Sequence, residues 1–228
     1  MKRSQINAII EEAKEFCRRM NFNLPPFAFW PADEWKTKGH EYDEIRDNRL
    51  GWDITDFGSE DFDRIGLVLF TIRNGNARMP DKYKKPYCEK ILIIREGQVC
   101  PDHHHRSKME DIINRGGGNL ILRLQNASPD GELLDTPVTV SIDGRTVTVP
   151  AGGEVKLTPG ESITLPQYVH HRFWGEEGHG TVLCGEVSTV NDDEIDNVFI
   201  PEVPRFSQII EDEPPVHLLC NEYPPAPE

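Results

Sequence analysis

Apolar and polar positions fall into three regimes along the chain. Near the start, Ile6, Ile9, Ile10, Ala13, Phe16, Cys17 and Met20 recur at helical spacing, with Glu11, Glu12, Lys14, Glu15, Arg18 and Arg19 between them. That spacing predicts an amphipathic helix with Ser4 as its N-cap. The stretch NFNLPPFAFWPADEW keeps its aromatics but loses the period at Pro25, Pro26 and Pro31. It predicts an extended arm on an apolar surface, with a second short helix around Pro31–Trp35 that takes Pro in its first turn. From Leu67 onward, runs rich in Val, Ile, Leu and Thr alternate with Gly, Pro and Asp: GLVLFTIRNG, EKILIIREGQ, NLILRLQN, TVSIDGRTVTV, EVKLTPGESITL and TVLCGEVSTV. These predict the short strands of an all-β sandwich or barrel. Asp143–Gly144, between two alternating runs, predicts a two-residue hairpin. From Asn191 the chain turns acidic and Pro-rich, as a segment that wraps the barrel and frays at its end would. The expected division is 1–66 for a helical and extended N-terminal extension, 67–190 for the barrel and 191–228 for the wrap.

Length and charge narrow the partners. A chain of 228 residues suits one domain with extensions and can bury a single core without staples. The excess of 39 acidic over 25 basic side chains argues against nucleic acid or an anionic membrane surface, which demand clustered Lys and Arg. No apolar run approaches the ~18 residues of a membrane span. The first residues lack the continuous apolar stretch of a secretory signal. Cys17, Cys88, Cys100, Cys184 and Cys220 contain no CxxC pair, so a reduced, cytoplasmic protein with buried thiols is expected.

Chemistry concentrates in the histidines. His103, His104 and His105 form one cluster and His170 and His171 a second. In a strand, His103 and His105 share a face and His104 points away, so the first pair can share one ion on a barrel's inner face. Glu110 and His171 would complete a ligand set of three imidazoles and a carboxylate, suited to Mn, Fe, Co, Ni or Zn. His104 and His170 are out of phase and are assigned to ordinary packing or surface roles. RGGGN reads as a tight turn between strands, because no helix start follows it as a phosphate loop requires.

Spacing is more specific than residue type. Gly97, His103-x-His105, Glu110 and Gly117 resemble the first metal motif of the cupin superfamily, and Gly160, Pro166 and His171 resemble the second. Tyr168 and Gly175 depart from the usual Gly and Asn there, at positions that are not ligands. Beyond the motifs, LPPFAFW, LGWDITDFG, LFTIRNG, MEDIINRGGGN, GEVSTVNDDEIDN and LLCNEYP make nearly the whole chain similar to the D-lyxose isomerases, a family of cupin aldose–ketose isomerases. The resemblance implies a cupin fold, that is, a double-stranded β-helix or jelly-roll barrel. It also implies manganese as the cofactor (with Co²⁺, Zn²⁺ or Fe²⁺ as substitutes), a free pentose or hexose as substrate, and a homodimer.

Such an isomerase needs acid/base groups beside the ion. Glu186 is a carboxylate inside an otherwise apolar strand, where burial would raise its pKa toward that of a general base. Lys108 could neutralise a developing oxyanion, and Lys90 is a third candidate. Trp52, Asp53, Phe57, Arg73, Arg172, Phe173 and Trp174 could supply the polar groups and apolar face that recognise a sugar. Two other functions fit the same ligands. One is an iron-dependent cupin dioxygenase, the other a non-catalytic sugar-binding cupin, because ligand identity does not separate them.

Overall fold

Whether an apolar run alternates or is continuous decides how many of its faces are covered. The computed structural model, which describes residues 1–227, sorts its strands on this basis. Helix α1 spans Arg3–Arg19 and α2 spans Asp43–Asp47. The strands are β1 Gly51–Thr55, β2 Leu67–Arg73, β3 Tyr87–Ile94, β4 Val99–His105, β5 Glu110–Gly117, β6 Leu120–Ala127, β7 Leu133–Leu134, β8 Val138–Ile142, β9 Arg145–Val149, β10 Gly153–Leu157, β11 Ser162–Leu165, β12 Val169–Gly175, β13 Val182–Thr189 and β14 Asn197–Phe199. One antiparallel sheet runs β1-β2-β3-β13-β5-β11-β8-β9, and a second runs β10-β6-β12-β4-β14 with β7 on β6. The two curl face to face into the expected cupin barrel.

The continuous runs LVLF and ILII lie between two cores. Leu67, Leu69, Leu92 and Ile94 face the space between the sheets, packed with Ile112, Leu122, Phe173 and Cys184. Val68, Phe70, Ile91 and Ile93 point outward and meet Ile6, Ile10, Ala13 and Phe16 of α1. At ~1.5–3 kcal/mol for each large apolar side chain fully buried, that contact fixes the helix to the barrel. The alternating run of β6 instead buries Leu120, Leu122 and Leu124 and leaves its other face partly exposed. At the β8–β9 hairpin, Asp143 and Gly144 both adopt positive φ, 49° and 78°, as a two-residue turn of this hand requires. All five cysteines are buried and free. Among the described residues, no helix is long and apolar enough to cross a membrane.

Several local expectations change. Ser4 is not the N-cap; it lies within the first turn, and its backbone N–H and Oγ donate to the Asp212 carboxylate at 2.9 and 2.7 Å. A side chain from the C-terminal segment thus satisfies donors that a cap would otherwise serve. The arm after α1 is not extended: it makes 3-10 turns at Pro26–Phe29 and Ala32–Thr37, and Pro31 precedes the second turn. Sheet structure also passes the 67–190 limits at both ends, with β1 on β2 and β14 on β4. Tyr168, standing where the motif usually has Gly, holds the left-handed backbone that Gly would adopt freely, with φ 62°.

Candidate active site

The second sheet supplies imidazoles. β4 and β12 are neighbours, with His103 opposite His171. The next pairing is Cys100 with Phe173, so β4 carries one residue more than β12 over this interval. Such a bulge resets which side chains point inward. Cys100, His103, His105 and Phe173 therefore all line one cavity of about 40 Å³. One ligand atom from each of His103, His105 and His171 lies within 4.8 Å of the other two. His103 and His171 each donate Nδ1–H to a carbonyl two residues upstream, Pro101 and Val169, at 2.8 Å. The opposite nitrogen, Nε2, is thereby left with its lone pair. Burial, followed by the two neighbouring imidazoles, holds His103 well below the usual histidine range and so keeps it neutral.

The first sheet faces these rings with charges. Glu110 opens β5, and its carboxylate lies 3.2 Å from His171 Nε2 and 3.4 Å from His105 Nε2. Glu186 on β13 stands opposite Lys90 on β3. Lys108, in the turn before β5, reaches Glu110 at 2.7 Å and Glu186 at 2.8 Å. Lys90 lies 3.7 Å from Glu186 and 3.6 Å from Asp193. Arg205 continues the series, 3.4 Å from Asp193 and donating to Asp53 at 2.6 Å. Negative and positive groups thus alternate without a break from Glu110 to Asp53. Burial would push the Lys108 and Lys90 ammoniums down, but their carboxylate neighbours outweigh it and hold both above the usual lysine range. Burial would likewise raise Glu110 and Asp193. Lys108 and His105 hold Glu110, and Lys90 and Arg205 hold Asp193, well below the usual carboxylate range.

This donor set fits a divalent ion. His171 Nε2 is buried and has no hydrogen-bond donor or acceptor, although it sits beside a carboxylate and two further imidazoles. A bare lone pair in that position suits a cation.

The remaining expected residues divide. Phe57 and Phe173 line the cavity, and Lys90, Lys108 and Glu186 stand together in it. Asp53 lines a second, polar cavity of about 250 Å³ together with Asn74, Arg78 and Asn191; Asp193 borders both cavities. Four expected sugar contacts, Trp52, Arg73, Arg172 and Trp174, lie elsewhere. Trp52 is in the outer core, 4.8 Å from the Phe70 ring, and its indole N–H donates to the Ala28 carbonyl at 2.9 Å. Arg73 is exposed and pairs with Glu89 at 3.0 Å. Arg172 projects from the outer face of β12 over the Trp174 ring. His104 and His170 are buried on that outer face, with their Nδ1 atoms 3.4 Å apart. Asp193, Asp196, Asn197, Phe199 and Arg205, all from the C-terminal wrap, are not among the candidate site residues named from the sequence. The only sequence cue to them was the acidic run NDDEIDN directly after β13.

Comparison with known proteins agrees with this architecture. A family model described as D-lyxose isomerase matches residues 1–223. A D-lyxose/D-mannose isomerase of Serratia proteamaculans is 51% identical over 224 residues, covering 98% of each chain. Its counterpart in Escherichia coli O157:H7 is 49% identical over 225 residues, with the same coverage. Among solved structures, an Acinetobacter sp. DL28 L-ribose isomerase mutant in complex with L-ribose superposes with a TM-score of 0.60. It is 16% identical, with 92% of this chain and 98% of the other covered, and so bears on the fold alone.

Proposed function

The chain belongs to the D-lyxose isomerase family, and on that premise we propose that it is a manganese-dependent aldose–ketose isomerase. Its substrates are D-lyxose, converted to D-xylulose, and D-mannose, converted to D-fructose. The observation that carries this reading is the convergence of three imidazoles and Glu110, with Glu186 close by between two ammonium groups. Relatives at 51% and 49% identity bear the name of isomerases, which favours this reading over the dioxygenase and the non-catalytic binder.

The reaction moves one hydrogen from C2 to C1 and one proton between the two oxygens, with no external oxidant or reductant. His103, His105, Glu110 and His171 would hold the ion, which supplies Lewis-acid polarisation of the sugar's carbonyl and hydroxyl oxygens. Glu186 is the base that takes the C2 proton and returns it to C1. Lys108, protonated and hydrogen-bonded to both Glu110 and Glu186, orients those carboxylates and offers positive charge to the enediolate. Phe57 and Phe173 provide apolar surface for the carbon chain. The cavity of about 40 Å³ is far below the ~300 Å³ at the lower end of small-molecule sites. Asn197, Phe199 and Arg205 of the C-terminal segment line this cavity together with the imidazoles.

The test supplies D-lyxose or D-mannose to metal-stripped protein in deuterated water, with and without added Mn²⁺. Manganese-dependent ketose carrying deuterium at C1 is expected. Ketose without deuterium keeps the isomerase and removes a solvent-exchanging Glu186 from the route. No ketose from either sugar overturns the proposal.

A further inference from the structure

The segment after β13 lies along the free edge of the ligand strand. In β14, Asn197 stands opposite His105 and Phe199 opposite His103. Asp196, immediately before it, is buried and held from two sides. Its Oδ1 accepts from the Ser107 backbone N–H at 2.8 Å and from Ser107 Oγ at 2.6 Å. Its carbonyl accepts from the Arg106 backbone N–H at 3.2 Å. The second carboxylate oxygen, Oδ2, lies 3.3 Å from His105 Nδ1. The two atoms are not aligned as a hydrogen bond, and neither has any other partner.

His105 differs in this from the other two imidazoles, whose Nδ1–H groups are taken by carbonyls of their own strands. We propose that Asp196 is a positioning residue for His105: its Oδ2 accepts Nδ1–H, fixes the tautomer and turns Nε2 toward the ion. The inference rests on the reading of the three imidazoles as metal ligands. A carboxylate can only accept, so it selects the tautomer with hydrogen on Nδ1 and leaves the lone pair on Nε2. Because Ser107 fixes the other carboxylate oxygen, alignment comes from rotation of the His105 ring. The histidine cluster is thus completed from outside the barrel strands, by a residue of the same segment that lines the cavity with Asn197 and Phe199.

The experiment titrates metal-stripped protein with Mn²⁺, reading free ion by electron paramagnetic resonance, and records the melting temperature of each metal-free protein. Asp196→Asn and Asp196→Ala are expected to bind Mn²⁺ about 10–100-fold more weakly than wild type, as loss of a carboxylate behind a ligating histidine does elsewhere. Ser107→Ala loosens the same loop but leaves Oδ2 beside His105, and its affinity should stay within about threefold of wild type. Equal affinity in wild type and both Asp196 variants overturns the inference. Equal weakening in Ser107→Ala and Asp196→Asn also overturns it, by assigning the effect to loop anchoring. If wild type itself binds no Mn²⁺, the metal reading fails and this inference fails with it, a result distinct from wild-type binding that the variants leave unchanged.

Discussion

Replacing Glu186 by Gln keeps the side chain's shape and removes one negative charge where two ammonium groups converge. Lys108 lies 2.8 Å and Lys90 3.7 Å from Glu186 Oε1. With an effective dielectric of about 20, those separations correspond to attractions of roughly 6 and 4.5 kcal/mol. Keeping a carboxylate out of water costs several kcal/mol in the other direction. Each lysine also keeps a second carboxylate, Glu110 at 2.7 Å for Lys108 and Asp193 at 3.6 Å for Lys90. The net loss of stability should therefore be about 1–3 kcal/mol, below the ~3–5 kcal/mol of a buried charge left wholly unpaired. For a chain of this length that lowers the melting temperature by about 2–12 °C. Turnover should fall much further. Loss of a positioned general base costs ~10²–10⁴-fold, equivalent to about 3–5 kcal/mol of barrier. Glu186 hydrogen-bonds or pairs with Lys108, Lys90 and Ser188, not with the imidazoles, so bound manganese should be unchanged. The assay measures kcat, metal content and exchange of the C2 hydrogen with solvent on the same preparation. A kcat within tenfold of wild type, at normal metal content, would remove Glu186 from the proton transfer.

Two further substitutions test placement. Trp52→Phe loses the hydrogen bond to Ala28 and should cost about 1–2 kcal/mol of stability while leaving kcat and KM unchanged; a raised KM would return Trp52 to the sugar site. Arg73→Ala breaks one exposed ion pair and should change stability by less than about 1 kcal/mol and kinetics not at all. Stability of the metal-free protein should fall with acidification. Burial, with His171 and His104 nearby, lowers His170 to about 4. The unfolded chain, near 6.5, therefore binds more protons between the two values, and stability is lost as pH falls from about 6.5 toward 4. At pH 5 the loss from this group is about 2 kcal/mol, read as a lower urea midpoint than at pH 7. An unchanged pH dependence in His170→Gln would contradict the assignment.

What the sequence made legible follows from period. The helix and the strands carried their own spacing, and alternation alone separates His103 and His105 from His104. The same alternation sets Arg172 apart from His171 and Phe173, and sets Trp52 apart from Asp53. Treating LGWDITDFG and HRFW as single sugar-binding patches overlooks that successive strand residues face opposite ways. The bulge in β4 was not legible, since nothing in VCPDHHH marks where the extra residue falls. The contribution of residues 191–207 was illegible for a different reason. β14 is three residues long, and Asp193, Asp196 and Arg205 act through charge and through partners distant in sequence, including Lys90, Ser107 and Asp53. Neither feature produces a period.

Charge balance ties those late residues to the centre. The connected network of charges that runs from the imidazoles to the second cavity holds five carboxylates, Asp53, Glu110, Glu186, Asp193 and Asp196, and three permanent cations, Lys90, Lys108 and Arg205. With neutral imidazoles that network carries two negative charges in excess, a heavy cost in a low-dielectric interior. Glu110 and Glu186, which the motifs and the apolar strand expose, are already matched by Lys108 and Lys90. The excess arises only when Asp53, Asp193 and Asp196 are counted against Arg205. A divalent cation held by the three histidines and Glu110 brings the total to zero. Asp193 and Asp196 of the C-terminal segment therefore contribute negative charge that a doubly charged ion at the three histidines and Glu110 would balance.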